Sequence, residues 1–408
     1  MKQSHELFLC ALKAALNGEK LKDVNVSADV WQDVFKLAEI HSVTPMIFNA
    51  AYSCMKDVNE QWMMQMRRKV RQHIMLQTMK TQEFFQLYEQ LRASGCTPLV
   101  VKGIVLRNLY PQPDHRLSSD EDVLIPAEQF EKCHQIMLKQ GMQTDCEDLL
   151  RAYEVPYRKG VLYIELHKQL FPKESEAYGD LNRYFEACFE KKQVEKIQEH
   201  EIITMNVNDH FFYLICHSLK HFFHSGFGIR QVCDIVMFAN AYGVQMNWDE
   251  IYQKASEIHA EVFTAALLKM GKKYLNLDDE KACLSEVWKN MDVDEMDMLM
   301  DLLESGVYGG STMSRKHSSN MTLNAVSKDK QGKKSKASVV SSLFPNVDQL
   351  KSRYSYLNKY PVLLPVAWIS RIIKYGKETM NTQNNDAKET LRIGNQRIEL
   401  LRQYKVIK

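Results

Sequence analysis

Apolar residues recur at helical spacing from the start of the chain. In "SADVWQDVFKLAEIHSV", which opens on Ser27 as a candidate N-cap, the residues Val30, Trp31, Val34, Phe35, Leu37 and Ala38 form one stripe, the mark of an amphipathic helix. The opening "MKQSHELFLCALKAALNGEK" has the same pattern, with His5, Glu6 and Lys13 interrupting its apolar run, so it reads as a helix and not as a targeting signal. Between Asn59 and Ser94 there is neither Gly nor Pro. There the stripe Trp62, Met66, Val70, Ile74, Leu87 and Leu91 predicts a single helix about 50 Å long, at ~1.5 Å per residue, closed by Gly95. Its many methionines read as adaptable core filler.

The texture then changes. "TPLVVKG", "EDVLIP" and "VLYIELH" are short, apolar or alternating runs that predict strands. A short helical segment, Ile104 to Leu109, and the turn-rich "YPQPDH" lie between the first two; a helix over Ala127 to Gln140, ended by Gly141, lies between the second and third. Beyond Pro172 the chain reads as helical again, in "NDHFFYLICHSLKHFFHSG" and "IRQVCDIVMFANAYG". The pattern therefore divides the chain into an N-terminal helical region (1–94), a sheet core (95–175), a helical region completing a cleft (176–308), a flexible Ser/Lys-rich linker (309–342) and a C-terminal helical segment (343–408).

Composition removes several functional classes. Lys plus Arg total 53 against 51 for Asp plus Glu, so no whole-chain field favours nucleic acid or a membrane surface. Nine cysteines without a CxxC pair argue for a reducing compartment, and no stretch approaches the ~20 apolar residues of a membrane span, so a cytoplasmic location is expected.

The chemistry gathers between Lys102 and His167. On a strand Asp120, Asp122 and Leu124 share one face, while Glu121, Val123 and Ile125 share the other. Two like charges on one face call for a divalent cation. In "VLYIELH" the residues Val161, Tyr163, Glu165 and His167 share a face, so pairing of this strand beside the aspartate strand would make Glu165 the third carboxylate of a site for one or two Mg2+ ions. Lys102 and Gly103, between strand and helix, supply a cation and an open backbone for phosphate, with Arg116, Ser118 and Ser119 as further phosphate contacts.

"LVVKG", "HRLSSDEDVLI" and "YIELH" together resemble a poorly characterised bacterial family of nucleotidyltransferases within the DNA polymerase beta-like superfamily. The resemblance runs from Val30 to Asn240, with a weaker echo near "LFPNVDQLKSRY" and "LLPVAWISRII". It implies an α/β (α+β) fold, a small mixed sheet flanked and extended by helices. It also implies a reaction in which an acceptor hydroxyl attacks the α-phosphate of a nucleoside triphosphate, with Mg2+ or Mn2+ as cofactor, and pyrophosphate leaves. Asp120 and Asp122 match the family's metal-binding pair, Glu165 its third carboxylate and Gly103 its phosphate-loop glycine. Three positions differ: Lys-Gly replaces Gly-Gly or Gly-Ser, Glu121 stands where an apolar residue packs, and the third carboxylate is Glu instead of Asp. Acceptors across the superfamily include small molecules, RNA and proteins. A catalytically silent nucleotide- or protein-binding module and a toxin-like enzyme modifying tRNA or protein are the alternatives.

Other residues invite weaker readings. His217 and His221, four apart on a helix, lack the companions of a zinc motif and read as cleft-lining or core residues, with Lys220 as a triphosphate contact. Arg230 and Asp234 are spaced to pair along a helix. The lysines 328, 330, 333, 334 and 336 read as a soluble spacer, and Trp368, Ile369, Ile372 and Ile373 beside Arg371, Lys374 and Lys377 as a docking helix.

Overall fold

The structure, a computed structural model, describes residues 1–55, 58–306, 313–332, 347–350, 354, 356–370 and 387–408. Three helices, α1 (Gln3–Leu16), α2 (Ala28–Ile40) and α3 (Thr44–Ala51), precede the long helix α4 (Glu60–Ala93). Asn59 starts α4 by accepting the amides of Gln61 and Trp62 at 2.9 and 3.1 Å, satisfying donors that a helix otherwise leaves open. Met66 and Val70 pack into the helical core, whereas Phe84, Phe85, Tyr88 and Leu91 pack into a second core under the sheet. Burying each such aromatic ring contributes about 2–3 kcal/mol, so α4 ties the two cores together. Gln77, Lys80 and Thr81 are also buried, between the two apolar groups.

The sheet has four strands: β1 (Leu99–Val100), β2 (Glu121–Leu124), β3 (Glu154–Lys159) and β4 (Leu162–His167), in the order β1-β2-β4-β3. β1 runs antiparallel to β2 and β3 antiparallel to β4, while the central pair β2 and β4 is parallel. Val123, Ile125, Val155, Tyr157, Ile164 and Leu166 fill one side, with α4 and α6 (Phe130–Lys139) packed on them. A short helix, α5 (Ile104–Arg107), joins β1 to the turn before β2. On the opposite side α7 (Val207–Phe223) and α8 (Ile229–Tyr242) line a pocket together with residues of the sheet side.

Two expectations need correction. Between Pro172 and α7 the chain is not helical throughout: β5 (Gln193–Ile197) and β6 (His200–Thr204) form an antiparallel hairpin. Their Lys- and Glu-rich alternation hides two half-exposed strands. Within the expected flexible linker, Met313–Lys330 is a helix, with Ser314, Ser318, Thr322, Ala325 and Val326 buried. Its small side chains let the C-terminal helix Ala387–Gln403 come close, so that a Cβ added at Gly394 would stand 2.4 Å from the Met321 sulfur. Hydroxyls that suggested solvent are satisfied internally, as when Thr322 donates to the Phe223 carbonyl. Lys330 pairs with Asp180 at 2.6 Å, while Lys333, Lys334 and Lys336 lie outside the described residues. The C-terminal docking stretch is described to Ser370, with Ile369 exposed; Arg371, Ile372, Ile373, Lys374 and Lys377 lie outside the described residues. Among the described residues no helix is long and apolar enough to cross a membrane.

Candidate functional site

Period-two alternation on β2 sends neighbouring carboxylates to opposite faces. On the packed side Glu121 and Arg107 are both fully buried and form an ion pair, and the Ile104 amide donates to Glu121 Oε2 at 2.8 Å. Ser118 Oγ receives a bond from Arg107 at 2.7 Å and lies 3.3 Å from Glu121. Thr81 Oγ1 accepts from Arg107 at 3.3 Å, and Lys80 holds the Ser118 and Ser119 carbonyls at 2.5 and 3.0 Å. The charge at position 121 is thus neutralised where it packs. It also explains Gly103, whose φ is 58° and where a Cβ would stand 1.8 Å from Glu121 Oε2.

On the other face the parallel register sets Asp122 beside Glu165 and Leu124 beside His167. Asp122, Glu165 and His167 offer ligand atoms that all lie within 4.8 Å of one another. His167 Nε2 is 3.1 Å from Asp122 Oδ1 and 3.8 Å from Glu165 Oε2. Lys102 Nζ stands 2.9 Å from Asp122 Oδ2 and 2.9 Å from His217 Nε2. His221 Nε2 approaches His217 Nε2 at 3.1 Å. Since an ammonium only donates, His217 Nε2 accepts from Lys102 and carries its proton on Nδ1.

Burial and like charges set the protonation states. Burial raises the Glu165 carboxyl, and Asp122, Asp120 and Glu154 add to the effect, pushing it up to about 7. Burial acts in the same sense on Asp122, but Lys102 and the His167 hydrogen bond outweigh it and hold this carboxyl well below the usual range. Burial, with Lys102 and other cations beside them, keeps His217 and His221 well below their ordinary values. Lys220 is lowered mainly by burial; it lies 5.8 Å from the Tyr153 ring and has no ion pair among the described residues.

A pocket connects these groups to the positive side of the site. Its lining includes Lys102, Gly103, Arg116, Ser118, Asp120 and Asp122 from the sheet side, and His217, Ser218, Arg230 and Gln231 from α7 and α8. Arg116 is held by Asp234 through a bidentate pair at 2.8 and 2.6 Å, and Tyr110 donates to the same carboxylate at 2.7 Å. Asp234 therefore pairs with Arg116 and not with Arg230, the reverse of what helical spacing suggests. Arg230 instead donates to the Leu117 carbonyl. Arg116 Nη1 and Arg230 Nε remain buried without a hydrogen-bond partner among the described residues. Asp234 neutralises Arg116, whereas Arg230 has no carboxylate partner among the described residues, which leaves an excess of positive charge facing the pocket and suits an anion.

The structure thus gathers Lys102, Gly103, Arg116, Ser118, Asp120 and Asp122 around one pocket, with Glu165 beside Asp122. Asp120 stands outside the tight ligand group, its charge acting on Glu165 and Lys102. Ser119 is exposed and donates to Asp120 at 3.1 Å, while the Ser118 hydroxyl and the Ile104 amide serve Glu121 and its partner. His167, Arg230 and the polar groups of α4 are additions to the sequence reading. The sequence did carry one signal for the last: Gln77, Lys80 and Thr81 interrupt an apolar helical stripe.

A cation fits this donor set: two carboxylates and an imidazole converge, and one carboxyl is held high by burial and by its acidic neighbours. Against known proteins, the family model described as uncharacterised nucleotidyltransferase matches residues 27–276, more than half of the chain. No curated protein and no solved structure matches it.

Proposed function

The chain belongs to the uncharacterised nucleotidyltransferase family, and from that membership we propose that it transfers a nucleoside monophosphate from a nucleoside triphosphate to an acceptor hydroxyl, with a divalent cation at Asp120, Asp122 and Glu165. The observation that carries the reading is the register of Asp122 beside Glu165 at a pocket whose far wall holds two arginines. Bound there, the cation would neutralise charge on the phosphates and lower the pKa of the acceptor hydroxyl.

The chain's own groups divide the remaining work. Arg116 and Arg230 hold the phosphates with nitrogens that have no other partner among the described residues, and Gly103 lets them approach the backbone. Lys102 has a stem flexible enough to exchange Asp122 for a phosphate oxygen. Lys220 contributes a further buried positive charge from α7. Glu165, beside Asp122 in the sheet register, would both hold the cation and take the acceptor proton.

Thermal unfolding of the parent and of Asp120→Asn/Asp122→Asn, with each nucleoside triphosphate and with or without Mg2+ or Mn2+, tests the reading. A stabilisation that needs nucleotide, metal and both aspartates supports it, because only ligands of the native state raise stability. No shift in a folded parent would reject it. The ammonium of Lys102 on Asp122 favours one other reading, a catalytically silent nucleotide-binding module. That reading requires a nucleotide-dependent shift without release of pyrophosphate to any acceptor.

A further inference from the structure

β4 ends at His167, a residue 2% exposed whose ring lies between two sets of carboxylates. On one side Nε2 faces Asp122 Oδ1 at 3.1 Å and Glu165 Oε2 at 3.8 Å. On the other, Nδ1 is buried, has no hydrogen-bond partner among the described residues and stands 3.5 Å from Glu154 Oε2, so that a small turn of that carboxylate would complete a bond. Glu154 is the β3 residue paired with His167 in the sheet register, so the backbone itself places it behind the ring.

Ligands about 2.1 Å from a shared cation are separated from one another by about 3.0–3.5 Å. The Nε2 distances fall at or within a few tenths of an ångström of that range. A carboxylate behind the second ring nitrogen is the arrangement that orients a metal-bound imidazole, fixing the proton on Nδ1 and turning the Nε2 lone pair to the ion. Mg2+ prefers an all-oxygen shell and gives up water reluctantly, whereas imidazole suits first-row transition ions. Among these, Mn2+ best tolerates the two carboxylate ligands.

We infer that His167 is a direct metal ligand, oriented by Glu154, and that this chain's carboxylate site takes Mn2+ in preference to Mg2+. The inference rests on the nucleotidyl-transfer reading for the premise that a divalent cation works here. It departs from that reading in the donor set and hence in the metal. Lys102 bounds the site on the side away from His167, and its displacement from Asp122 is part of what the incoming ion must achieve.

The test uses the full chain and the metals alone. Mn2+ binding is followed through the electron paramagnetic resonance signal of the free ion, Mg2+ by competition, and pulsed measurements read coupling between bound Mn2+ and a directly attached nitrogen nucleus. The expected result is Mn2+ bound roughly tenfold or more tighter than Mg2+, with nitrogen coupling. His167→Gln should lose the coupling and most of the preference. Glu154→Gln should keep the coupling and weaken Mn2+ by about tenfold.

Bound Mn2+ without nitrogen coupling in the parent would overturn the inference, and this readout does not depend on any variant folding. Equal affinities for Mn2+ and Mg2+ would also overturn it. Either result leaves the nucleotidyl-transfer reading standing if nucleotide and Mg2+ still stabilise the protein together. Absence of divalent binding, with and without nucleotide, would end both.

Discussion

Glu121 and Asp122 are adjacent, acidic and buried, yet the two faces of β2 use them in opposite ways. Glu121 meets one guanidinium, one backbone amide and one hydroxyl, each within hydrogen-bond reach, in a place closed to water. Asp122 shares its cations: Lys102 also serves His217, and His167 also faces Glu165 and Glu154. One carboxylate completes the structure and the other sits among charges that do not cancel. Burial alone does not mark a functional acid. What marks it is a surplus, here three carboxylates around one imidazole on one side of a pocket and two arginines, only one of them paired with an aspartate, on the other.

The contrast predicts different responses to mutation. Glu121→Ala leaves the Arg107 charge buried without its partner and should cost about 3–5 kcal/mol in denaturant unfolding. Gly103→Ala acts on the same contact, forcing a Cβ into the carboxylate at a positive φ, and should cost about 1–3 kcal/mol. A cost below half a kilocalorie for either would mean that the packed face is less rigid than its contacts imply.

Glu165→Gln should do the opposite. The folded carboxyl titrates near 7 against 4.5 in an exposed group, so its favourable contribution is complete below about pH 4.5 and is lost as pH rises through 7. At pH 8 the metal-free parent carries the full repulsion, and removing the charge should raise stability on the order of 1–3 kcal/mol while abolishing metal-dependent nucleotide binding. The stability difference between variant and parent should shrink as pH falls from 8 to 5. A variant that is less stable at pH 8 would show Glu165 to be an ordinary structural acid.

How much of this was legible beforehand follows from which forces are local. The alternation in "EDVLIP" and "VLYIELH" reports a sheet with one packed face, and it placed Asp122 and Glu165 on corresponding faces; their adjacency then needed only the parallel pairing of β2 and β4. β3 escaped notice because Pro156 interrupts it, which an edge strand tolerates. The Met313–Lys330 helix escaped because its burial depends on close approach by a helix some seventy residues later in sequence. Charge pairing is the least local of all. Arg116 finds Asp234 across 118 positions, so the nearer Arg230 is left for the pocket, and no spacing rule along one helix announces that exchange.

The smallest stability effect is expected at Asp120, and it decides how far the functional face extends. Asp120 is half-buried and its one side-chain hydrogen bond among the described residues is from Ser119, so Asp120→Asn should change unfolding free energy by no more than about 0.5 kcal/mol. Its charge nonetheless raises Glu165 and Lys102. Removing it should therefore lower the Glu165 titration, measurable by following that carboxyl in the metal-free protein across pH. If Asp120 also binds the cation, the same variant loses the joint stabilisation by nucleotide and metal. Retention of that stabilisation with only the titration displaced would confine the metal to Asp122, Glu165 and His167, and would make Asp120 a source of field at the pocket's edge.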